Sequence, residues 1–193
     1  YIEYDHDIGA EDRLRFSRAE EAPRFDPARA PKLESATWPQ ARLDKAARNY
    51  TMEYVRSLVS EAIDLFGPQD AQYLIGGAAR LVGMHFYDEC RAMLGHERAG
   101  AEGFADFFMA MAKAGDESCA QEARADAIQI AQTGWRLMRG IKPLHRQSFD
   151  IWNELWVGCL AAHDRSLQWG ARVEGERFAF EVGPRRTHAI FDN

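Results

Sequence analysis

The hydrophobic periodicity of this chain changes once, near Gly170, from a helical spacing to an alternating one. Between Pro39 and Gly170, apolar residues recur at spacings of three and four, which is typical of helices with one buried face. After Gly170, the residues Phe178, Phe180 and Val182 alternate with charged or small residues, as in a half-buried strand. We therefore predict an α+β fold, mainly α, with about five helices and a small C-terminal antiparallel β-sheet.

Glycine and proline residues divide the helical part into five segments. The first segment ends at Gly67-Pro68 and the second at Gly95. We predict that the first buries Leu43, Ala47, Tyr50, Tyr54, Leu58, Ala62 and Leu65. We predict that the second buries Leu74, Ala78, Leu81, Val82, His85, Glu89 and Met93. A short third helix carries Phe104, Phe107, Phe108 and Met111, a fourth covers about residues 116–138, and the fifth lies within residues 148–169.

The first 38 residues differ from the rest of the chain. Four of the seven prolines lie within the first 39 residues, among many charged side chains. Such a segment rarely forms a core by itself, so we predict an extended N-terminal arm (1–38) and a single helical domain with a C-terminal β-hairpin (39–193). Residues 1–4 are a candidate short strand, and residues 187–191 are a candidate antiparallel partner for the strand at 178–182.

Charge and cysteine content restrict the class of protein. The net charge of −6 and the scattered basic residues argue against a nucleic-acid partner. No apolar stretch approaches the ~20 residues that cross a bilayer, so no membrane partner is expected. Three widely spaced cysteines, without a CxxC pair, argue against a disulfide framework and favour a reducing, cytoplasmic location.

Two polar pairs, each four residues apart, lie on predicted apolar helix faces. Cys159 and His163 are the candidate nucleophile and general acid or base, and His85 is a second candidate catalytic group, oriented by Glu89. A thiol or histidine on such a face is also a common structural core residue. The pairs could alternatively coordinate a divalent metal together, as helix-borne ligands do in bundle cores. No cofactor is otherwise implied.

Aromatic residues offer a second kind of site. Trp152, Trp156 and Phe86 could line a cavity that holds a hydrophobic small molecule, although such side chains more often belong to the core. With or without catalysis, the expected partner is therefore a small-molecule ligand. A homodimer is a further expectation, because an apolar-rich helical domain with an extended arm often exchanges contacts between copies.

The order of segments resembles a known family. NYTMEYVRSLVSEAIDLFGPQDAQYLIGGAARLVGMHFYDECRAMLG (49–95), then WNELWVGCLAAHDRSLQW (152–169), then a short strand ending is similar to the L-2-amino-thiazoline-4-carboxylic acid hydrolase-like family. This resemblance, over roughly residues 45–191, implies hydrolysis of a cyclic amidine-like ring. Many relatives carry a cysteine shortly before the final strand, whereas residues 183–191 contain none, so a thiol at that position cannot carry the reaction here.

These observations lead to one main functional prediction and two alternatives. We predict a small-molecule enzyme, a hydrolase or lyase that acts on a ring or carbon–heteroatom bond by histidine acid–base or cysteine thiol chemistry. The first alternative is a non-catalytic small-molecule-binding module. The second is a structural or assembly subunit whose proline-rich arm wraps a partner.

Overall fold

The computed structural model describes residue 28 and residues 37–142, 144–175 and 177–185. The chain divides into two units between Pro39 and Gln40, and the unit that begins at Gln40 contains every element described below. The predicted arm lies outside the described residues, apart from Ala28, Thr37 and Trp38. The predicted strands at 1–4 and 187–191 lie outside them as well.

Five helices carry most of the described residues. They are α1 (Gln40–Phe66), α2 (Pro68–Ala71), α3 (Gly77–Leu94), α4 (Gly100–Ala114) and α5 (Arg146–His163). A π-helical turn (Gln72–Gly76) joins α2 to α3. Gly67, with φ of 81°, ends α1, and Pro68 begins α2, where the missing N–H of proline costs nothing. None of the helices described here is long and apolar enough to span a bilayer.

Four antiparallel strands form one sheet in the order β1-β2-β4-β3. They are β1 (Ser118–Ala123), β2 (Ile128–Thr133), β3 (Leu167–Glu174) and β4 (Arg177–Pro184). Ile130 pairs with Phe180, and both side chains are buried. The alternation predicted at 178–182 is therefore that of a strand with one buried face. The predicted α+β class, mainly α with a small antiparallel sheet, is confirmed.

The predicted fourth helix is wrong. Residues 118–133 form the β1–β2 hairpin, and only Arg136–Met138 near its end adopt a 3₁₀ turn. Ile128, Ile130 and Gln132 are buried on alternate positions of β2, which pairs with β4. Long-range pairing across the sheet thus outweighs the helical propensity of the alanine and glutamate residues in this segment. The fifth helix is also shorter than predicted, because Leu167 and Trp169 belong to β3.

Glycines set the packing of α3 against α5. A Cβ atom on Gly83 would lie 2.2 Å from the Leu155 carbonyl oxygen, and one on Gly158 would lie 2.1 Å from the Arg80 carbonyl oxygen. Both distances are far below van der Waals contact, so the two backbones touch where side chains would otherwise separate them. This contact fixes the face of α3 that carries Gly83 and Tyr87 as its inner face.

The buried stripes predicted for the first two helices are wrong. Of the α1 set only Ala62 is buried, and the buried residues of this helix are Val59, Ala62 and Ile63. His85 lies about 200° around α3 from Gly83, because the two residues are two positions apart. All seven residues of the second predicted set are exposed: Leu74, Ala78, Leu81, Val82, His85, Glu89 and Met93. The aromatic residues predicted for the short third helix point inward on α4, where Phe104, Phe107 and Phe108 are buried. On α5, Phe149, Trp156 and Cys159 are buried.

The buried apolar residues form two clusters. The larger joins α4, α5 and the inner face of the sheet, and includes Phe108, Trp156 and Phe180. The smaller joins α1 to Leu137 and Ile151. Trp135 and Trp152 pack against both clusters. The space between the two clusters is incompletely filled and forms a cavity.

Candidate ligand-binding cavity

The structure places Cys159 and His163 in environments that favour structural roles. Cys159 is 6% exposed, and burial, followed by the nearby Cys90, raises the pKa of its thiol to about 12. A thiol in that state is protonated at neutral pH and is a poor nucleophile. Both ring nitrogens of His163 are occupied: Nδ1 accepts from the Tyr87 hydroxyl, and Nε2 donates to the Gly100 carbonyl at 2.9 Å.

His85 and Glu89 lie on the opposite side of α3 from this pair. Both side chains are exposed, whereas Gly83 and Tyr87 face α5. The edge of the His85 ring lies against Phe86, with 4.5 Å between the ring centroids, and Phe86 is itself 46% exposed. The structure therefore does not bring the two polar pairs together, and it separates Phe86 from Trp152 and Trp156.

The described residues also contain no group of three His, Cys, Asp or Glu side chains that could hold a metal ion. A shared metal site would require the two pairs to face each other across α3 and α5. The exposed position of His85 and Glu89 removes that geometry within one copy of the chain. The predicted catalytic and metal roles thus gain no support from the arrangement of these four side chains.

A cavity of about 330 Å³ lies between α1, α4, α5 and the end of β2. Its walls are largely apolar, and Trp152 and Trp156, two of the three aromatic residues predicted to bind a ligand, are among them. The volume falls at the lower end of the ~300–1,000 Å³ that small-molecule sites occupy. Its other lining residues include Met52, Val55, Phe108, Met111, Trp135, Leu137 and Leu155.

Two hydrogen-bond donors on the cavity wall have no partner among the described residues. The indole Nε1 of Trp156 is buried, and the side chain as a whole is only 4% exposed. The Nε of Arg48 is likewise buried and unpaired, and none of the ion pairs found among the described residues includes Arg48. Leaving a buried donor unsatisfied costs about 1–3 kcal/mol, and more where the group is charged.

The acceptors around the cavity, by contrast, are already engaged. Glu117 Oε1 accepts from the Arg136 backbone N–H at 2.7 Å. Gln132 accepts from the Cys119 thiol at 3.6 Å and donates to the Gly134 carbonyl at 2.9 Å. Desolvation raises the pKa of the Glu117 carboxyl, against the opposing effect of backbone N–H groups and of the Arg139 and Arg136 charges. The unsatisfied polar groups of the cavity are therefore donors.

Arg48 and Glu117 are site residues that the sequence did not single out for binding. Arg48 lies on α1, and Glu117 precedes β1, so only the tertiary fold brings them to one cavity. A helical pattern gives no signal for an unpaired arginine, because exposed arginines occur at similar positions on most helices. The tryptophans were recognisable because they lie on the buried face of α5.

Comparison with known proteins adds no assignment to this geometry. No protein-family model matches the chain, and no curated protein matches it. The likeness to the L-2-amino-thiazoline-4-carboxylic acid hydrolase-like family therefore stays a prediction.

Proposed function

We propose that this protein binds a small organic anion with an apolar, ring-containing body in the cavity between α1, α4 and α5. The observation that carries the proposal is the pair of buried donors, Arg48 Nε and Trp156 Nε1, that have no partner among the described residues, on a largely apolar wall whose acceptors Glu117 and Gln132 are already hydrogen-bonded. A carboxylate or sulfonate group supplies the acceptors that both donors lack. The aromatic and aliphatic side chains then enclose the rest of the ligand.

The cavity volume limits the size of the ligand. A water molecule occupies about 30 Å³ of liquid, so 330 Å³ corresponds to roughly eleven waters. A body of two or three rings fits this space. Aromatic stacking on Trp152 or Trp156 adds an orientation preference, since indole rings favour offset or edge-to-face contacts.

A matched pair of fluorescent probes tests the proposal. 1-Anilinonaphthalene-8-sulfonate is an anion, and N-phenyl-1-naphthylamine has the same rings without the sulfonate. We expect the anion to bind the full chain at least ten-fold more tightly than the neutral probe. Replacing Arg48 with Met should remove about 1.5–3 kcal/mol from anion binding, a loss of roughly 10–140-fold, and should leave the neutral probe within two-fold.

Three variants serve as controls for this measurement. Arg165→Met removes an exposed arginine that does not line the cavity, and should leave both probes unchanged. Thr51→Trp places a large ring at the exposed α1 edge of the cavity and should block both probes. Leu81→Glu alters the outer face of α3 and should block neither. Equal affinity of the two probes, or anion binding that survives both Arg48→Met and Thr51→Trp, would refute the proposal.

Catalysis by a hydrolase or lyase mechanism stays the alternative prediction. It requires His163 or Cys159 to reach a substrate, whereas both ring nitrogens of His163 are hydrogen-bonded within the fold and the Cys159 side chain is buried. Replacement of His163 with Ala distinguishes the two functions, because it should abolish turnover if the histidine is catalytic. Binding of the anionic probe should persist in that variant if the cavity alone is responsible.

A further inference from the structure

The outer face of α3 is an apolar stripe on the surface of the unit. The outer stripe comprises Leu74, in the π-helical turn that precedes α3, and the α3 residues Ala78, Leu81, Val82, His85, Phe86, Glu89 and Met93. Leu81 is 67% exposed, Met93 80% and Leu74 52%. Single exposed apolar residues are ordinary, but a continuous stripe over five turns is the pattern of an interaction surface. Among the described residues, nothing covers it.

The packing of α3 on α5 leaves this stripe no place in the core. Gly83 and Gly158 hold the two backbones in contact, and any rotation of α3 that buried Leu81 would drive a bulky side chain into the Leu155 carbonyl. The residues of the outer stripe therefore cannot pack into the core of the unit. A sequence that retains a helical apolar repeat on such a face needs another surface to cover it.

We propose that a second copy of this chain covers the outer stripe, with the two α3 helices antiparallel about a two-fold axis between Gly83 and Met84. The stripe is symmetric about this point in its spacing. At the centre Val82 faces the partner's His85. On either side of it Leu81 faces the partner's Phe86, and towards the ends Leu74 faces the partner's Met93, so large apolar side chains meet beside the centre and at both ends. An isologous contact requires such self-complementarity.

The two polar members of the stripe fit the same arrangement. Glu89 faces the partner's Ala78, a small side chain that leaves room for the carboxylate to turn back. His85 lies one turn before Glu89 on the same helix face, where the imidazole and the carboxylate can pair. The polar pair singled out in the sequence thus has a role within an interface, in setting the register of the two helices.

The size of the stripe is that of a dimer contact. Five large apolar side chains, each about half to four-fifths exposed, offer on the order of 500 Å² of apolar surface. A standard interface buries about 800 Å² on each partner, of which roughly 57% is apolar.

Sedimentation equilibrium of the full chain tests the dimer. We expect a dimer at 10 µM, and a monomer after Leu81→Glu, since the substitution places two carboxylates near the centre of the contact. Leu144→Glu, at another half-exposed leucine outside α3, should remain dimeric. A monomeric wild-type chain at this concentration would contradict the proposal. A dimeric Leu81→Glu variant with unchanged thermal unfolding would place the interface elsewhere.

Spin labels test the register independently of any disruptive variant. In an antiparallel pair of helices, the two copies of a label move apart along the helix axis by about 3 Å for each residue between the label and the two-fold axis. In a chain with Cys90→Ala and Cys119→Ala, a label on His85→Cys should therefore lie ~4–5 Å from its copy along the helix axis. A label on Met93→Cys should lie about 28 Å from its copy. Equal label distances at the two positions would exclude the antiparallel arrangement.

Discussion

Replacement of Gly83 with Ala tests the contact that orients the whole site. The added Cβ would lie 2.2 Å from the Leu155 carbonyl oxygen and 2.9 Å from the Cys159 backbone nitrogen. Both neighbours are backbone atoms of α5, so no side chain can rotate away, and α3 must move outward by about 1 Å or more. Overpacking of this kind costs about 1–3 kcal/mol, and we expect the upper end because the Tyr87–His163 hydrogen bond lies one turn away.

Urea unfolding, followed by tryptophan fluorescence, measures this loss in the free energy of unfolding, and thermal unfolding measures the accompanying change in melting temperature. A loss of about 3 kcal/mol lowers the melting temperature of a domain of this size by roughly 6–12 °C. Gly77→Ala is the matched control on the same helix, because nothing lies within 4 Å of the Cβ position and the residue is exposed. That variant should gain about 0.5–1 kcal/mol. If Gly83→Ala and Gly77→Ala have equal free energies of unfolding at the same protein concentration, the close approach of α3 and α5 is refuted.

Two further predictions concern titratable groups. Burial raises the pKa of Cys119 to about 11 and that of Cys159 to about 12. At pH 8 a thiol reagent should therefore modify both cysteines far more slowly in the folded protein than in urea, where the thiol pKa returns to about 8.5. Rapid reaction of all three cysteines in the folded chain would contradict this prediction. Burial raises the pKa of Glu117 above its unfolded value, so its contribution to stability is complete below the unfolded pKa and declines as pH rises through the folded pKa. Glu117→Gln should therefore gain stability relative to wild type as the pH rises above the unfolded glutamate pKa of about 4.3, whereas Glu122→Gln, at an exposed site, should show a flat difference.

The fold class could be predicted because the two periodicities are local properties of the sequence. The alternation of Phe178, Phe180 and Val182 and the glycine and proline boundaries of α1 to α3 needed no long-range information. The hairpin at 118–133 could not be predicted in the same way, since its local composition favours a helix and only pairing with β4 makes it a strand. β3 was missed for a similar reason, because Leu167 and Trp169 continue the helical spacing of α5.

The site could be predicted only on the helix whose buried face was identified correctly. Trp152 and Trp156 line the cavity because α5 presents its apolar stripe inward on α4 and α1. Arg48 required knowledge of how α1 lies against that stripe, and its missing partner is a property of the packed structure. The predicted four-residue site depended on both α3 and α5 facing each other through their polar pairs, and α3 is rotated away from that orientation.

Hydrophobic periodicity identifies an amphipathic helix but does not say which surface its apolar face meets. In α3 most of the large apolar residues lie on one face, but the face with Gly83 and Tyr87 packs in the core, because Gly83 allows the closer backbone approach to α5. The stronger apolar signal therefore points outward. An exposed apolar face of this kind is unfavourable in a monomer, whereas its burial stabilises an assembly. If the self-association proposed here holds, the stripe predicted to be buried is buried between two copies of the chain, and the error lies in the assumption that one copy supplies both surfaces.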